Sequence, residues 1–386
     1  MFSNRLPPHA EINPLSRALE GLRARGVAIT DLTESNPTRI GLVYPPDLLH
    51  GLGSETAYRY EPDPRGLRVA REAVAADYQR RGALVDPAHL VLSASSSEAY
   101  TWLFKLLCNP GEGVLVPEPS YPLFEHLTRL EAVRSVPYCL RYHGRWEIDF
   151  DSIVAAPPDT RALLLVSPNN PTGSYVSREE ASRLAEICRS RGWAIVADEV
   201  FSDYALDAVA PATECAMNQG VLSFTLGGAS KSLGLPQVKL GWMAVDGPPR
   251  EREWALAALE IVADTFLSVG TPVQVAAPSL LTRGDGIRRQ IRSRTVANLA
   301  RARAIAARYR ACTVLPVEGG WSLVVRVPAT SPEDVLVEAL LERERILVHP
   351  GYFFDFPHEA FIIVSLLPPE DVFADGFERA LRFVSR

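Results

Sequence analysis

Apolar residues in this chain fall into short uninterrupted runs, separated by stretches where they recur every third or fourth position. "HLVLSA" precedes "EAYTWLFKLLC", and "GVLVPEP" precedes "LFEHLTRLEA". "RALLLVSP" is followed by "SREEASRLAEICRSRG", and then "WAIVADEV" and "VLSFTLGG" follow in turn. Short apolar runs of this kind are strands buried on both faces, and the helical recurrence between them marks amphipathic helices. Their alternation predicts an α/β protein built from βαβ units, with a large, doubly wound, mostly parallel sheet covered on both sides. Ahead of these units, "LRVAREAVAADYQRR" from Leu67 to Arg81 reads as an amphipathic helix. The N-terminal segment, residues 1–44, is rich in Pro, Asn and Arg and reads as a short helix plus an extended arm.

The pattern changes after Pro278. "GIRRQIRSRTVANLARARAIAARYRA" reads as one long Arg-studded helix, and "WSLVVRVP", "RILVHPG" and "AFIIVSLL" as strands of a smaller α+β unit. The shifts divide the chain into an N-terminal arm that joins the small domain (1–44), a large domain (45–275) and a small C-terminal domain (276–386).

Composition narrows the class. Of 386 residues, 47% are hydrophobic, which is ample for a large core. No apolar run approaches the roughly 18 to 20 residues of a membrane helix. The start, "MFSNRLPPHAEINPLSRALEG", lacks the basic segment and apolar block of a signal peptide. A net charge of -6, from 40 basic and 46 acidic side chains, argues against a dedicated nucleic-acid binder. The arginines of the long helix accordingly read as a solvated face. Cys108, Cys139, Cys188, Cys215 and Cys312 form no CxxC pair, which argues against a disulfide framework and a zinc site. The expectation is a soluble, cytoplasmic protein without metal, membrane or nucleic-acid partner.

In open parallel sheets, ligands bind at the carboxyl ends of the strands. Four such ends here carry polar residues out of keeping with their strands. "SASSSEAY" places Ser95, Ser96 and Ser97 at a helix N-terminus, where backbone N–H groups and the helix dipole make an anion site. Serine capping explains the same stretch. "SPNNPTG" sets Asn169 and Asn170 before a turn. "AIVADEVF" ends a nearly pure apolar strand in Asp198 and Glu199, where a carboxylate is costly unless a cation or a cap receives it.

The fourth end is "LSFTLGGASKSLGLPQVKLGW", in which small residues crowd the approach to Lys231. A P-loop requires glycine where Ser230 and Thr225 stand, so that reading fails. No GxGxxG, GxSxG or HExxH is present. The remaining use for a sequestered lysine is a Schiff base to a carbonyl compound, its amine made reactive by burial. With an anion cradle, an aspartate and an asparagine beside it, that compound is pyridoxal phosphate.

Taken in order, these segments resemble the class I/II aminotransferases, the aspartate-aminotransferase-like group of pyridoxal-phosphate enzymes, over nearly the whole chain. "SASSSEA" is similar to the family's phosphate segment, "NPGEGVLVPEPSYPLF" to its next strand and loop, and "SPNNPTG" to its Asn-Pro-Thr-Gly turn. "VADEVFSDY" resembles its aspartate strand, and "GGASKSLGLPQVKLGW" its lysine segment. The resemblance implies that Lys231 forms the Schiff base and, once released by substrate, shuttles a proton between substrate Cα and cofactor. It implies that Asp198 pairs with the ring nitrogen, Asn170 bonds the ring 3-oxygen and Tyr121 stacks on the ring. Ser95, Ser96, Ser97, Ser230 and Lys239 would hold the phosphate. Tyr60 in "YRYEPDPRG" resembles the tyrosine that reaches the phosphate in the partner subunit, which implies a homodimer.

The implied reaction moves an amino group between an amino donor and a 2-oxo acid through pyridoxamine phosphate. A β-lyase, a decarboxylase or racemase, and a non-enzymatic sensor lobe use the same scaffold. Three departures stand out. Phe201 replaces the usual tyrosine donor to the ring oxygen, although Tyr204 is near enough in sequence to fill that role. Lys239 replaces an arginine. The family's substrate-carboxylate arginine should fall near Ile363, and neither Arg nor Lys occurs between Arg345 and Arg379. Arg39, in "SNPTRIG", is the leading substitute, with Arg59 and Arg326 behind it. Without one, the substrate would be an amine, an amino alcohol or a modified amino acid.

Overall fold

A computed structural model describes residues 3–6, 13–206 and 216–386. Eight strands build the large sheet. In chain order they are β1 (Leu90–Ser93), β2 (Gly113–Glu118), β3 (Arg134–Tyr142), β4 (Trp146–Ile148), β5 (Thr160–Val166), β6 (Ala194–Asp198), β7 (Ser223–Gly228) and β8 (Gly241–Asp246). Across the sheet the order is β1-β8-β7-β6-β5-β2-β3-β4. β7, β6, β5, β2 and β3 are joined by parallel pairing, as the alternating pattern predicts. β8 lies antiparallel between β1 and β7, and β4 antiparallel at the far edge. The sequence pattern does not announce either of these two strands, nor β3.

β6 and β7 are buried at every residue, which is why they read as continuous apolar runs. Successive side chains alternate between faces. Leu164, Val196 and Phe224 pack with Leu103 of the helix Ser96–Leu107 and Leu259 of the helix Pro249–Asp264. Leu163 and Ile195 face the other way, onto Leu184 and Cys188 of the helix Arg178–Arg191.

The second unit holds a four-stranded antiparallel sheet, β9 (Thr313–Val314), β10 (Ser322–Arg326), β11 (His349–Pro350) and β12 (Phe361–Ser365), in the order β9-β10-β12-β11. Leu15 and Leu22 of the helix Pro14–Ala24 share one core with Leu299, Phe373 and Phe377, so both ends of the chain contribute to it. "RILVHPG" is not one strand: Ile346–Leu347 pairs in parallel with Thr30–Asp31, and only His349–Pro350 joins the antiparallel sheet. The helix Thr271–Arg283 runs through the boundary expected at 275–276.

The long helix is Asp285–Ala306, and its arginines are not all solvated. Arg289, Arg292 and Arg301 are exposed, but Arg288 is buried. Arg288 pairs with Asp77 at 2.7 Å and with Asp285 at 2.6 Å, and lies 3.5 Å from Asp203. Arg294 donates to the carbonyls of Ile40 and Leu367. Sequence does not distinguish such arginines from surface ones, because Asp77, Ile40 and Leu367 lie 73 to 254 positions from the arginines they receive. Cys108, Cys139, Cys188 and Cys312 are free thiols, and Cys215 lies outside the described residues. No helix among the described residues is long and apolar enough to cross a membrane.

Candidate active site

The carboxyl ends of β1, β5, β6 and β7 surround a cavity of about 230 Å³. Of the residues singled out in the sequence, Ser95, Ser96, Ser97, Tyr121, Asn170, Asp198, Ser230, Lys231 and Lys239 line it. Tyr60 and Arg39 do not.

Part of the cavity wall is formed by a helix N-terminus. The helix Ser96–Leu107 starts there. The Ser95 hydroxyl accepts the Glu98 N–H at 3.1 Å, while the Glu98 carboxylate accepts the Ala94 N–H at 2.7 Å. Ser95 is therefore an N-cap, and the first-turn N–H groups of Ser96 and Ser97 have no partner within the helix. The capping reading of "SSSE" is borne out at Ser95, and it leaves the Ser96 and Ser97 N–H groups unused by the helix. Gly241 brings β8 up against this turn: a Cβ there would lie 2.9 Å from Ser93 Oγ and 3.1 Å from Ser95 Cα. Gly227 is small for a similar reason, since a Cβ would collide with the Trp242 indole. Lys239 also lines the cavity, with φ of 57°, a left-handed conformation uncommon outside glycine. That backbone cost is the kind found where a side chain must be aimed.

Asp198 terminates β6. Its Oδ1 accepts the Val200 N–H at 3.1 Å, and its Oδ2 accepts the Tyr100 hydroxyl at 3.0 Å. Burial lifts its carboxyl to about 6, against the opposing pull of those two donors and the Lys231 charge. Asn170 is oriented from the second unit: Ser322 Oγ, on β10, donates to its Oδ1 at 3.1 Å. The amide N–H groups are thereby left as the donors that Asn170 offers.

Lys231 sits in the single turn Ala229–Ser232 after β7. Burial lowers its ammonium from the usual lysine range, and Asp198 pulls the other way. Its Nζ lies 5.5 Å from the centre of the Phe201 ring and 5.2 Å from that of Trp321. Burial thus makes the amine easier to deprotonate, the condition a lysine needs to act as a nucleophile or a base.

The model for aminotransferase class I and II matches residues 49–372, most of the chain. The chain belongs to this family. Among relatives, a glutamate-pyruvate aminotransferase of Haemophilus influenzae is 26% identical over 96% of this chain and 94% of its own. An alanine aminotransferase of Mycobacterium tuberculosis is 26% identical over 96% of this chain and 89% of its own. In structure, an aminotransferase from Escherichia coli superposes with a TM-score of 0.88 at 25% identity, covering 100% of this chain and 98% of its own. The protein is thus an enzyme of amino-group transfer, and the fold is the aminotransferase fold. Enzymes of this family depend on pyridoxal phosphate.

Three residues around the aminotransferase site carry no signal of their own in the sequence. Tyr100 reads as an apolar helix position, Trp321 as the edge of a strand, and Ser322 as a strand residue. Each becomes a site residue only because another element is folded against it. Tyr204 is not the substitute for the missing tyrosine donor: its hydroxyl is engaged with the main chain of the lysine turn rather than with the cavity. Ile363 packs with Val324 and Phe354, and its neighbour Ile362 with the core of the second unit, so neither strand face presents a cation. Among the described residues, Lys231 and Lys239 are the cations that line the cavity, and no arginine does. Arg39 is exposed at the end of the 3-10 turn Pro37–Arg39, and Arg59 and Arg326 are exposed elsewhere. Tyr60 is 76% exposed, beside a separate surface hollow that Trp102 and Leu267 also line.

Proposed function

We propose that this cavity holds pyridoxal phosphate on Lys231 and moves an amino group between an amino donor and a 2-oxo acid. The observation that carries this reading is a lysine amine and a buried aspartate lining one cavity together with a helix N-terminus, Ser230 and Lys239. The donor set fits the cofactor: one cation, Lys239, and N–H groups for a dianion, a carboxylate for a ring nitrogen, an amide for a ring oxygen. When bound, pyridoxal phosphate supplies a carbonyl for the substrate amine and a protonated ring that takes up an electron pair from the substrate carbon.

The chain supplies the rest. Ser96 and Ser97 N–H groups, Ser230 and Lys239 anchor the phosphate, Asp198 holds a proton at the ring nitrogen, and Asn170 donates to the ring oxygen. Tyr121 covers the ring. The Lys231 amine, lowered in basicity by burial, takes the proton from substrate Cα and returns it on the other side of the transfer. Names of relatives point to small 2-oxo acids as acceptors. Tyr58 and Tyr60, both largely exposed, support a homodimer in which a second copy covers Tyr60 and brings it to the partner's phosphate.

Lys231→Ala tests the reading. The purified variant should lose the visible absorbance of lysine-bound cofactor and all single-turnover transfer, yet retain much of the affinity that its phosphate contacts supply. Wild-type turnover by Lys231→Ala would sink the proposal. Keto-acid release in one turnover identifies transfer, whereas ammonia and pyruvate from a cysteine-like donor identify lyase chemistry.

A further inference from the structure

Tyr100 lines the cavity, yet nothing in the function above uses it. It is buried, and its hydroxyl donates to Asp198 Oδ2 at 3.0 Å. The Val200 N–H meets the other oxygen at 3.1 Å, so the carboxylate is held by one donor on each oxygen. The titratable groups that face Asp198 are Tyr100, Tyr121 and Lys231.

The ring of Tyr100 cannot swing away. It meets Phe124 edge-on, with centroids 5.4 Å apart at 80°, and Phe104 at 6.1 Å. Tyr100 also stands one helical turn after Ser96 and three positions after Ser97, hence on the same helix face. A single rigid helix therefore presents N–H groups to the anion at one end of the cavity and a hydroxyl to the carboxylate at the other. This ties the distance between the two ends to the helix geometry.

We propose that Tyr100 is a positioning residue that keeps Asp198 fixed and charged as the partner of the cofactor's ring nitrogen. The inference rests on the pyridoxal-phosphate reading of the cavity. Burying a carboxylate is costly, and each donor aimed at it favours the ionised form. Without the hydroxyl, Asp198 takes up a proton more readily and is held on one side only. A neutral acid has no charge with which to keep the ring nitrogen protonated.

The test compares dissociation constants for pyridoxal phosphate and for its 1-deaza analogue, in which C–H replaces the ring nitrogen, measured by fluorescence titration at pH 7.5. Wild type should bind pyridoxal phosphate more tightly than the analogue. Tyr100→Phe should narrow that preference by roughly tenfold or more, the effect of one hydrogen bond to a charged group. In the Asp198→Asn background the same substitution should change the ratio less than twofold. A purely structural tyrosine would weaken both ligands equally, and an unchanged ratio in Tyr100→Phe overturns the inference. If wild type itself fails to distinguish the two ligands, the cofactor reading falls and the inference with it. Should Tyr100→Phe not fold, Tyr100→Leu is read in its place with the same criterion.

Discussion

The hydroxyl of Tyr204 lies 2.8 Å from the carbonyl oxygen of Lys231 and 2.9 Å from that of Ser232. It grips the turn that carries Lys231 without itself lining the cavity. The Ser232 hydroxyl extends the grip by donating to Asp203 at 2.6 Å and accepting from Arg288. The backbone of the lysine turn is thus held by the Tyr204 hydroxyl, and the Ser232 side chain beside it by charge-assisted bonds.

Because Tyr204 is committed in this way, Phe201 would leave the ring oxygen of a bound cofactor with one protein donor fewer. Adding one by Phe201→Tyr should stabilise the deprotonated form of the lysine-bound cofactor. The pH midpoint of its visible spectrum should move down. An unchanged spectrophotometric titration would mean that another group already donates there.

Asp198 connects the site to stability. Its carboxyl rises from the ordinary 3.8 to about 6 through burial. Between those values the native cofactor-free protein binds more protons than the unfolded chain, so stability falls as pH rises through this window. Above it the ionised carboxylate remains a constant cost, on the order of 3 kcal/mol. Cofactor-free Asp198→Asn should therefore melt higher than cofactor-free wild type at pH 8, with the gap closing towards pH 4. Transfer activity should meanwhile drop by several orders of magnitude. Equal melting at pH 8, or a loss of activity under tenfold, would reduce Asp198 to a structural cap.

The cavity wall bears on substrate choice. With Ile362 and Ile363 turned into core and no arginine lining the cavity among the described residues, aspartate and glutamate should be poor donors. If Arg39 recruits a substrate carboxylate, Arg39→Ala should cut kcat/KM for carboxylate donors by roughly 10- to 100-fold. Its melting temperature should not change, since Arg39 is exposed. A donor panel including amines and amino alcohols decides the matter. Family-typical efficiency with aspartate or glutamate, unaffected by Arg39→Ala, contradicts both parts.

By itself the sequence determined what is local. Apolar runs with helical intervals gave the parallel sheet, because a strand buried on both faces has no polar residue to spare. Polar residues at four strand ends marked the site, because charge at the end of an apolar strand is costly without a ligand. Lys231, Asp198, Asn170 and the serine turn were legible on that ground. Only the tertiary structure decided which distant residues complete the site. Tyr100 reaches Asp198 across 98 positions, and Ser322 reaches Asn170 across 152. The same holds for the burial of Arg288 against Asp77 and for the antiparallel insertion of β8. In each case the residue's role depends on the partner that packing places against it, and the periodicity of one segment carries no information about another.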